Sequence, residues 1–293
     1  MRIIRYVNEQ SLPQLAAMNE EGSVFPLQQT DFIALVNEAK TQGKSTLELV
    51  QSLTSSSIAI PSKLEELDLL VPIEAPEVWA AGVTYERSRE ARNFEATGGR
   101  MDASTFYDKV YDAERPEIFF KSTAARTVGP GGYVMLRSDS EWQVPEPELG
   151  LVLDSQGNIL GYTIGNDMSC RDIEGENPLY LPQAKMWKRS CSIGPAILLA
   201  EAVADPYQFQ ITSTIYRDGE KVVEGTASTG QLKRKFEELT SFLVRDNEVF
   251  EGTVLLTGTC IVPPNEFTLA DGDRIVMEIS GIGTLINPVR SAS

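Results

Sequence analysis

The alternation of apolar and polar residues in the second half of the chain predicts β-strands. Residues 149–154 and 159–165 are largely apolar and are joined by the turn-forming segment Ser155-Gln156-Gly157-Asn158, which predicts a β-hairpin with a four-residue loop. Residues 209–215 alternate in the same way and lead to Arg217-Asp218-Gly219-Glu220, an Asp-Gly hairpin turn. The chain is therefore predicted to be rich in β-structure.

Helical spacing is confined to shorter segments. The apolar positions within residues 231–244 predict an amphipathic helix, and residues 85–94 and 103–114 predict two polar helices. Residues 95–102, between these two helices, are either a mobile loop over a site or an ordinary surface loop. The helices are additions to a mainly β pattern.

The first part of the chain has a pattern of its own. Residues 31–38 carry apolar residues at helical spacing, and Ser45-Thr46-Leu47-Glu48 is a capping box that begins another helix. Val71-Pro72-Ile73-Glu74-Ala75-Pro76 contains two prolines and is typical of a boundary between domains. We therefore expect a small N-terminal domain for packing or oligomer contacts over residues 1–72, and a catalytic domain over residues 73–293.

Two glutamates directly precede the first strand of the predicted hairpin. Side chains alternate faces along a strand, so Glu146 and Glu148 project to the same side. Two carboxylates at that spacing repel each other and weaken the strand unless a cation or a proton shares the site. This pair is the first indication of a metal site.

The register of the hairpin adds a third carboxylate. If the loop has four residues, Asp154 pairs with Ile159, and the same register places Asp167 opposite Glu146. Three hard oxygen donors then converge on one face, which is the ligand set preferred by Mg²⁺, Mn²⁺ or Ca²⁺. We predict a metal site formed by Glu146, Glu148 and Asp167. The alternative is a surface acidic cluster.

Composition narrows the function classes. The net charge of −16 argues against a nucleic-acid partner or an anionic membrane, since both require a basic surface. No apolar run is long enough to span a bilayer, and the three cysteines lack metal-binding spacing, so we expect reduced thiols in a cytoplasmic protein. The chain contains no histidine, which excludes a Ser-His-Asp triad, a zinc site built on imidazole and a histidine general base.

Further polar residues are weaker candidates when taken singly. Glu117-Ile118-Phe119-Phe120-Lys121 places a lysine beside three large apolar residues, where it is either half-buried or directed at an anion. Residues 256–259 and 281–285 contain Gly-Thr turns, which can offer N–H groups and a hydroxyl to an anion, although many are only turns. The acidic residues between positions 172 and 176 are expected on a solvated face.

Taken together, several segments resemble the fumarylacetoacetate hydrolase family. They are Glu146-Pro147-Glu148, residues 161–172, Lys185, Ser192-Ile193-Gly194-Pro195 and Gly281-Ile282-Gly283-Thr284-Leu285. The resemblance implies an α+β, β-rich fold of mixed β-sheets rolled around the site with peripheral helices, beside a small N-terminal α/β domain. It also implies Mg²⁺, or sometimes Mn²⁺ or Ca²⁺, at the three carboxylates, Lys185 near the substrate, and a homodimer or homotetramer.

A subgroup within this family is more similar still. The shared segments are residues 76–79, 115–121, 137–142 and 176–183. Resemblance to this subgroup implies Mg²⁺-dependent dehydration of a small 2-keto-3-deoxy sugar acid, a pentonate, to 2,5-dioxopentanoate in pentose breakdown. The alternatives are a hydrolase or decarboxylase of a 2-oxo or 1,3-diketo acid, and a binding protein that kept the fold and the ion.

The absence of histidine favours dehydration, because family members that hydrolyse carbon–carbon bonds resemble one another in activating water with a histidine. A divalent ion that chelates the C1 carboxylate and the C2 ketone oxygen stabilises the enolate formed when the C3 proton leaves. A glutamate or lysine base then suffices if its pKa is shifted toward neutrality. We expect Lys185 to handle the C3 proton or to orient the carboxylate.

The remaining roles are assigned around this chemistry. Glu117 is the expected acid–base partner, Lys121 supports it, and Glu86 competes for the same role. The candidate catalytic residues are therefore Lys185, Glu117, Lys121 and Glu86, and the candidate substrate-binding residues are Tyr85, Lys185, Thr259 and Thr284.

Overall fold

Strands dominate the computed structural model, which describes residues 1–97 and 106–291. The strands are β1 (Arg2–Val7), β2 (Pro13–Met18), β3 (Val24–Pro26), β4 (Glu77–Gly82), β5 (Glu117–Thr123), β6 (Thr127–Val128), β7 (Val134–Met135), β8 (Gln143–Val144), β9 (Pro147–Leu153), β10 (Ile159–Asp167), β11 (Ser169–Cys170), β12 (Cys191–Leu199), β13 (Gln210–Arg217), β14 (Glu220–Ser228), β15 (Thr253–Leu256), β16 (Arg274–Ile279) and β17 (Gly283–Arg290). The helices are α1 (Phe32–Thr41), α2 (Thr46–Ser55), α3 (Glu86–Thr97), α4 (Phe106–Asp112), α5 (Arg171–Glu176), α6 (Leu181–Lys185) and α7 (Phe236–Leu243). Positions 98–102 of the predicted loop lie outside the described residues.

Two sheets form the body of the protein. The larger has the order β3-β2-β1-β12-β10-β9-β15-β4-β5, with β6 beside β12, and the smaller has the order β14-β13-β16-β17-β7. Most neighbours are antiparallel, but β15 pairs with β4 in parallel. Mixed sheets with short peripheral helices confirm the predicted β-rich α+β class. No helix in the described part of the chain is both long and apolar enough to cross a membrane.

Strand β9 is buried on both faces, and its two faces enter different cores. Leu149, Leu151 and Leu153 lie in the larger apolar cluster, which includes the smaller sheet and α7. Val152 points the other way, into a cluster shared with α1 and α2. Because side chains alternate along a strand, Glu146 and Glu148 lie on the same face as Val152. They are at the N-terminal end of β9, where carboxylates take the place of apolar side chains on that face.

The predicted register holds at the site but not at the turn. Glu148 lies opposite Gly165, and the Asp167 N–H donates to the Glu146 carbonyl at 3.0 Å, as the prediction requires. Near the loop the register shifts between Ile159 and Gly161. The predicted pairing of Asp154 with Ile159 is therefore wrong, since Ile159 pairs with Leu153.

The N-terminal segment joins the large sheet through strand β1, which pairs with β12. Asp31 caps α1 by accepting from the Ala34 N–H, and the predicted capping box of Ser45 and Glu48 begins α2. A domain boundary near residue 72 stays a prediction.

Candidate active site

Three carboxylates meet where β9 begins and β10 ends. Glu146, Glu148 and Asp167 are buried, and each offers an oxygen that lies within 4.8 Å of those of the other two. Burial rules out the alternative of a surface acidic cluster. The structure thus brings the predicted ligand set together, although its role in metal binding stays a prediction.

The electrostatics of the three carboxylates favour a cation. Burial, reinforced by the neighbouring charges of Asp167 and Glu146, raises the pKa of Glu148 well above its ordinary value. Burial also opposes ionisation of Glu146, but Lys185 and Arg171 outweigh it and lower that pKa to about 2. Burial and the neighbouring like charges therefore favour the protonated form of Glu148, and a bound divalent ion would instead favour its carboxylate. Three hard carboxylate donors fit Mg²⁺, Mn²⁺ or Ca²⁺.

A backbone turn after β15 fixes the orientation of Glu148. The Gly258 N–H donates to Glu148 Oε2 at 2.6 Å. Gly258 has a φ of +94°, and a Cβ there would lie 2.0 Å from Thr84 Oγ1. Only glycine satisfies both conditions without displacing the turn.

We expect Gly258→Ala to weaken Mg²⁺ binding by about 10- to 100-fold, the usual effect of losing a partner that orients a ligand. Isothermal titration calorimetry with Mg²⁺ measures the affinity. Gly272→Ala is the matched control, because Gly272 has a φ of +88° and no atom within 4 Å of its Cβ position. Equal losses in both variants would attribute the effect to backbone strain alone.

Lys185, the last residue of α6, lies among the carboxylates. Its Nζ is 2.6 Å from Glu146, 3.2 Å from Asp167 and 3.2 Å from Glu174. Burial alone would lower the pKa of this lysine, but these three carboxylates outweigh burial and raise it. Lys185 is therefore an ammonium ion in this arrangement and must lose a proton before it can act as a base.

Lys121 is also buried, and it positions other groups. Its Nζ lies 2.7 Å from Asp167 and donates to the carbonyls of Met168 at 2.8 Å and Lys185 at 2.5 Å. These partners lie on β10, directly after β10 and on α6. Together they hold the Lys121 ammonium group away from the cavity. This geometry favours a positioning role for Lys121 rather than a catalytic one.

Glu117 begins β5 opposite Gly82. A Cβ on Gly82 would lie only 1.7 Å from Glu117 Oε2, so the glycine leaves the space that this carboxyl group occupies. The Arg92 guanidinium lies 3.8 Å away. Burial raises the pKa of Glu117, with partial opposition from Arg92. The raised pKa therefore favours the protonated form of the Glu117 carboxyl group.

A small cavity of about 20 Å³ opens beside these groups. Its walls include residues from β4, the turn after it, α3, the hairpin and the turn after β15: Ala81, Gly82, Val83, Ser88, Arg92, Phe119, Glu146, Glu148, Asp167, Lys185, Gly258 and Thr259. Of the predicted substrate-binding residues, Lys185 and Thr259 line this cavity. Glu117 is not one of its lining residues but lies against two of them, Gly82 and Arg92.

Three candidates lie elsewhere. Glu86 is exposed and pairs with Arg89 at 3.2 Å on the surface of α3. Thr284 is exposed on β17, in the smaller sheet. Tyr85 is fully buried but does not line the cavity. The structure therefore does not bring these three side chains to the carboxylates.

Four charged residues of the site, Arg92, Glu95, Arg171 and Glu174, were not predicted as part of it. Glu174 was expected on a solvated face, which is wrong: it is 1% exposed and binds Lys185 and, at 3.3 Å, Arg92. Arg171 is also buried and binds Glu146 at 2.8 Å and Glu95. Arg171 and Glu174 are three residues apart in α5, and this spacing on one helix face was the available signal.

The fold and the site define the class of protein. Residues 78–290 match the C-terminal domain of fumarylacetoacetate hydrolase, so the chain belongs to that family. Among its relatives is 2-dehydro-3-deoxy-D-arabinonate dehydratase of Saccharolobus solfataricus, 49% identical over 78% of this chain and 76% of the relative. A probable 2-keto-3-deoxyxylonate dehydratase of Haloferax volcanii is 47% identical over 87% of this chain and 86% of the relative.

Solved structures agree with this placement. A 2-keto-3-deoxy-D-arabinonate dehydratase complexed with magnesium and 2,5-dioxopentanoate superimposes with a TM-score of 0.84 at 37% identity, covering 100% of this chain and 99% of the other. The fold expected from the family resemblance is confirmed.

Proposed function

We propose that the protein catalyses the Mg²⁺-dependent dehydration of 2-keto-3-deoxy-D-arabinonate to 2,5-dioxopentanoate, a step in pentose breakdown. The observation that carries this proposal is the buried set of Glu146, Glu148 and Asp167 beside Lys185, in a chain 49% identical to a dehydratase named for that substrate. The relative complexed with magnesium and 2,5-dioxopentanoate supports both the ion and the product.

The reaction defines what the site must do. The substrate is a five-carbon acid with a ketone at C2, a methylene at C3 and hydroxyls at C4 and C5. A proton leaves C3 and the C4 hydroxyl leaves with a proton, so one water is lost. Further proton shifts, from C5 and its hydroxyl to C3 and C4, give an aldehyde at C5. The site therefore needs at least one group that accepts protons and one that donates them.

Glu146, Glu148 and Asp167 would hold the magnesium ion. When bound, the ion supplies a Lewis acid that polarises the C2 ketone and makes the C3 proton more acidic. The Lys185 ammonium would bind the substrate's carboxylate, since its raised pKa keeps it charged. Thr259 lies in the same wall, where its hydroxyl can bind a substrate hydroxyl.

Glu117 is the proposed proton donor to the departing C4 hydroxyl. Burial raises the pKa of Glu117 and so favours its protonated form, and the nearby Arg92 guanidinium stabilises the carboxylate left after donation. Transfer to the hydroxyl oxygen lets it leave as water rather than hydroxide.

We expect Glu117→Gln to lower kcat by about 10²-fold, the lower range for loss of a general acid. A protonated acid is required, so the wild-type kcat falls as pH rises through the raised pKa of Glu117. That alkaline decline should disappear in the variant, while Mg²⁺ affinity stays unchanged. A pH profile of kcat, with calorimetry for the metal, makes the measurement. An unchanged alkaline limb would assign the acid to another group.

The function is tested by incubating the purified protein with Mg²⁺ and 2-keto-3-deoxy-D-arabinonate. Formation of 2,5-dioxopentanoate, stopped by EDTA and restored by Mg²⁺, is the expected result. Release of CO₂ from oxaloacetate without any dehydration would replace the proposal with a decarboxylase.

We further propose a cytoplasmic homodimer or homotetramer. Free thiols at Cys170, Cys191 and Cys260 support a reducing compartment. The assembly is what the resemblance to the fumarylacetoacetate hydrolase family implies. Light scattering coupled to size-exclusion chromatography tests the assembly, and a monomer at all concentrations would refute it.

A further inference from the structure

A second cavity lies behind the catalytic one. Ile118 forms part of its wall, and Ile118 directly follows Glu117 in β5, so the two side chains point to opposite faces of the sheet. The cavity has a volume of about 270 Å³, near the lower end of the range for small-molecule sites. It shares no lining residue with the catalytic cavity.

Two arginines give this second cavity its chemistry. The guanidinium carbons of Arg115 and Arg245 lie 5.3 Å and 4.3 Å from the centre of the Phe242 ring, which belongs to the same wall. Their carbons are therefore within about 10 Å of each other, close enough for like charges to repel. Stacking on one ring stabilises each cation but cannot neutralise the pair.

Neither guanidinium has a counter-ion on this chain, within the ranges 1–97 and 106–291. Glu114 and Asp246 are their sequence neighbours, yet neither forms an ion pair with them. Both arginines are exposed. In a chain with a net charge of −16, two neighbouring arginines without a carboxylate partner form a local positive surface, which favours binding of an external anion.

The other walls fit an anion attached to a short apolar body. Trp79 donates its indole N–H to Glu77 at 2.9 Å, which leaves the ring as an apolar surface. Asn247 donates one amide N–H to the Leu243 carbonyl at 3.1 Å, and the second N–H of the same amide can donate to an anion. Guanidinium groups bind carboxylate and phosphate oxygens in pairs.

We propose that this second cavity binds a small oxyanion, a dicarboxylate or inorganic phosphate, whose oxygens bridge Arg115 and Arg245. The site is separate from the metal centre and independent of the reaction proposed above. Phe242 holds both cations in place, and Trp79 reports on occupancy because its ring lines the same space.

The test titrates the Mg²⁺-loaded protein with succinate and, separately, with phosphate at constant ionic strength. Calorimetry and tryptophan fluorescence should both show saturable binding. Combined substitution of Arg115→Ala and Arg245→Ala should weaken binding at least about tenfold, as loss of charge-assisted hydrogen bonds does. Trp79→Phe should remove the fluorescence change and keep the calorimetric signal. The tighter of the two probes identifies the oxyanion class.

Two control variants keep the result interpretable. Arg274→Ala removes another exposed arginine stacked on an aromatic ring, 4.7 Å from the centre of Tyr216, and should bind as the wild type does. Glu148→Gln alters the metal centre and should also retain binding. No saturable signal in the wild type, or binding lost in Glu148→Gln and kept in the double arginine variant, would overturn the proposal. Arg115→Lys, which keeps the charge, should bind with intermediate affinity if the double variant fails to fold.

Discussion

Glu148→Gln should abolish Mg²⁺-dependent turnover, with a loss of about 10³-fold in kcat/KM. The substitution removes one of three carboxylate oxygens that lie within 4.8 Å of each other and leaves a neutral amide in a buried position. A Lewis acid contributes several kcal/mol to such a reaction, and each ~1.4 kcal/mol corresponds to a factor of ten in rate. Steady-state kinetics over a Mg²⁺ series, with calorimetry of the free variant, measures both effects.

The matched control for this experiment is Glu278→Gln. Glu278 is exposed on β16 in the smaller sheet, so the same chemical change there should alter neither turnover nor Mg²⁺ affinity. Wild-type metal dependence in Glu148→Gln would refute the metal centre, whatever the protein's substrate.

Lys185→Met should cost about 3–5 kcal/mol of the free energy of unfolding and should also remove activity. The lysine is the nearest cation shared by Glu146, Asp167 and Glu174, and a methionine of similar length leaves all three carboxylates without it. Removing one partner from a buried charge network has this magnitude because the remaining charges stay desolvated. Thermal melts should show a decrease on the order of 10 °C.

Added Mg²⁺ should recover part of the stability lost in Lys185→Met, since the ion replaces some of the missing positive charge. Lys188→Met serves as the control, because Lys188 is exposed three residues further along the chain. If both variants melt at the wild-type temperature, the carboxylates are neutral in the folded protein and the charge network described for Lys185 is incorrect.

The carboxylate set could be predicted because it depends on two local rules. Strand alternation puts Glu146 and Glu148 on one face, and an antiparallel register puts Asp167 opposite Glu146. The register shift between Ile159 and Gly161 could not be predicted in this way. A Cβ on Gly161 would lie 2.5 Å from Ile197 Cγ2, so this part of β10 is shaped by β12, far away in the sequence.

The periodicity of apolar residues also predicted the wrong start for one helix. The predicted helix of residues 231–244 begins only at Phe236, because Ser228 and Gln231 close a capping box around a single turn of 3₁₀-helix and Leu232 is extended. Leu232 is nevertheless buried, so it keeps the apolar pattern without the helix. A periodic set of apolar residues indicates which side chains are buried. Buried side chains can belong to a helix or to an extended segment, so the pattern alone does not fix the backbone conformation.

Site residues predicted from neighbouring sequence positions were placed less accurately than those predicted from strand geometry. Glu86 was selected because it follows Tyr85, yet the first turn of α3 directs it to solvent. Thr284 was predicted in a Gly-Thr turn like that of Thr259, but it lies in β17 of the smaller sheet, whereas Thr259 lies in the turn after β15 and lines the cavity. Which turns share a cavity depends on long-range packing.

The charge network around Lys185 also couples metal binding to protonation. Its acidic members are Glu95, Glu117, Glu146, Glu148, Asp167 and Glu174, and its basic members are Arg92, Lys121, Arg171 and Lys185. Fully ionised, this set carries two more negative than positive charges. Bound protons and a metal ion can each supply the missing positive charge, so binding of the ion displaces protons from the network.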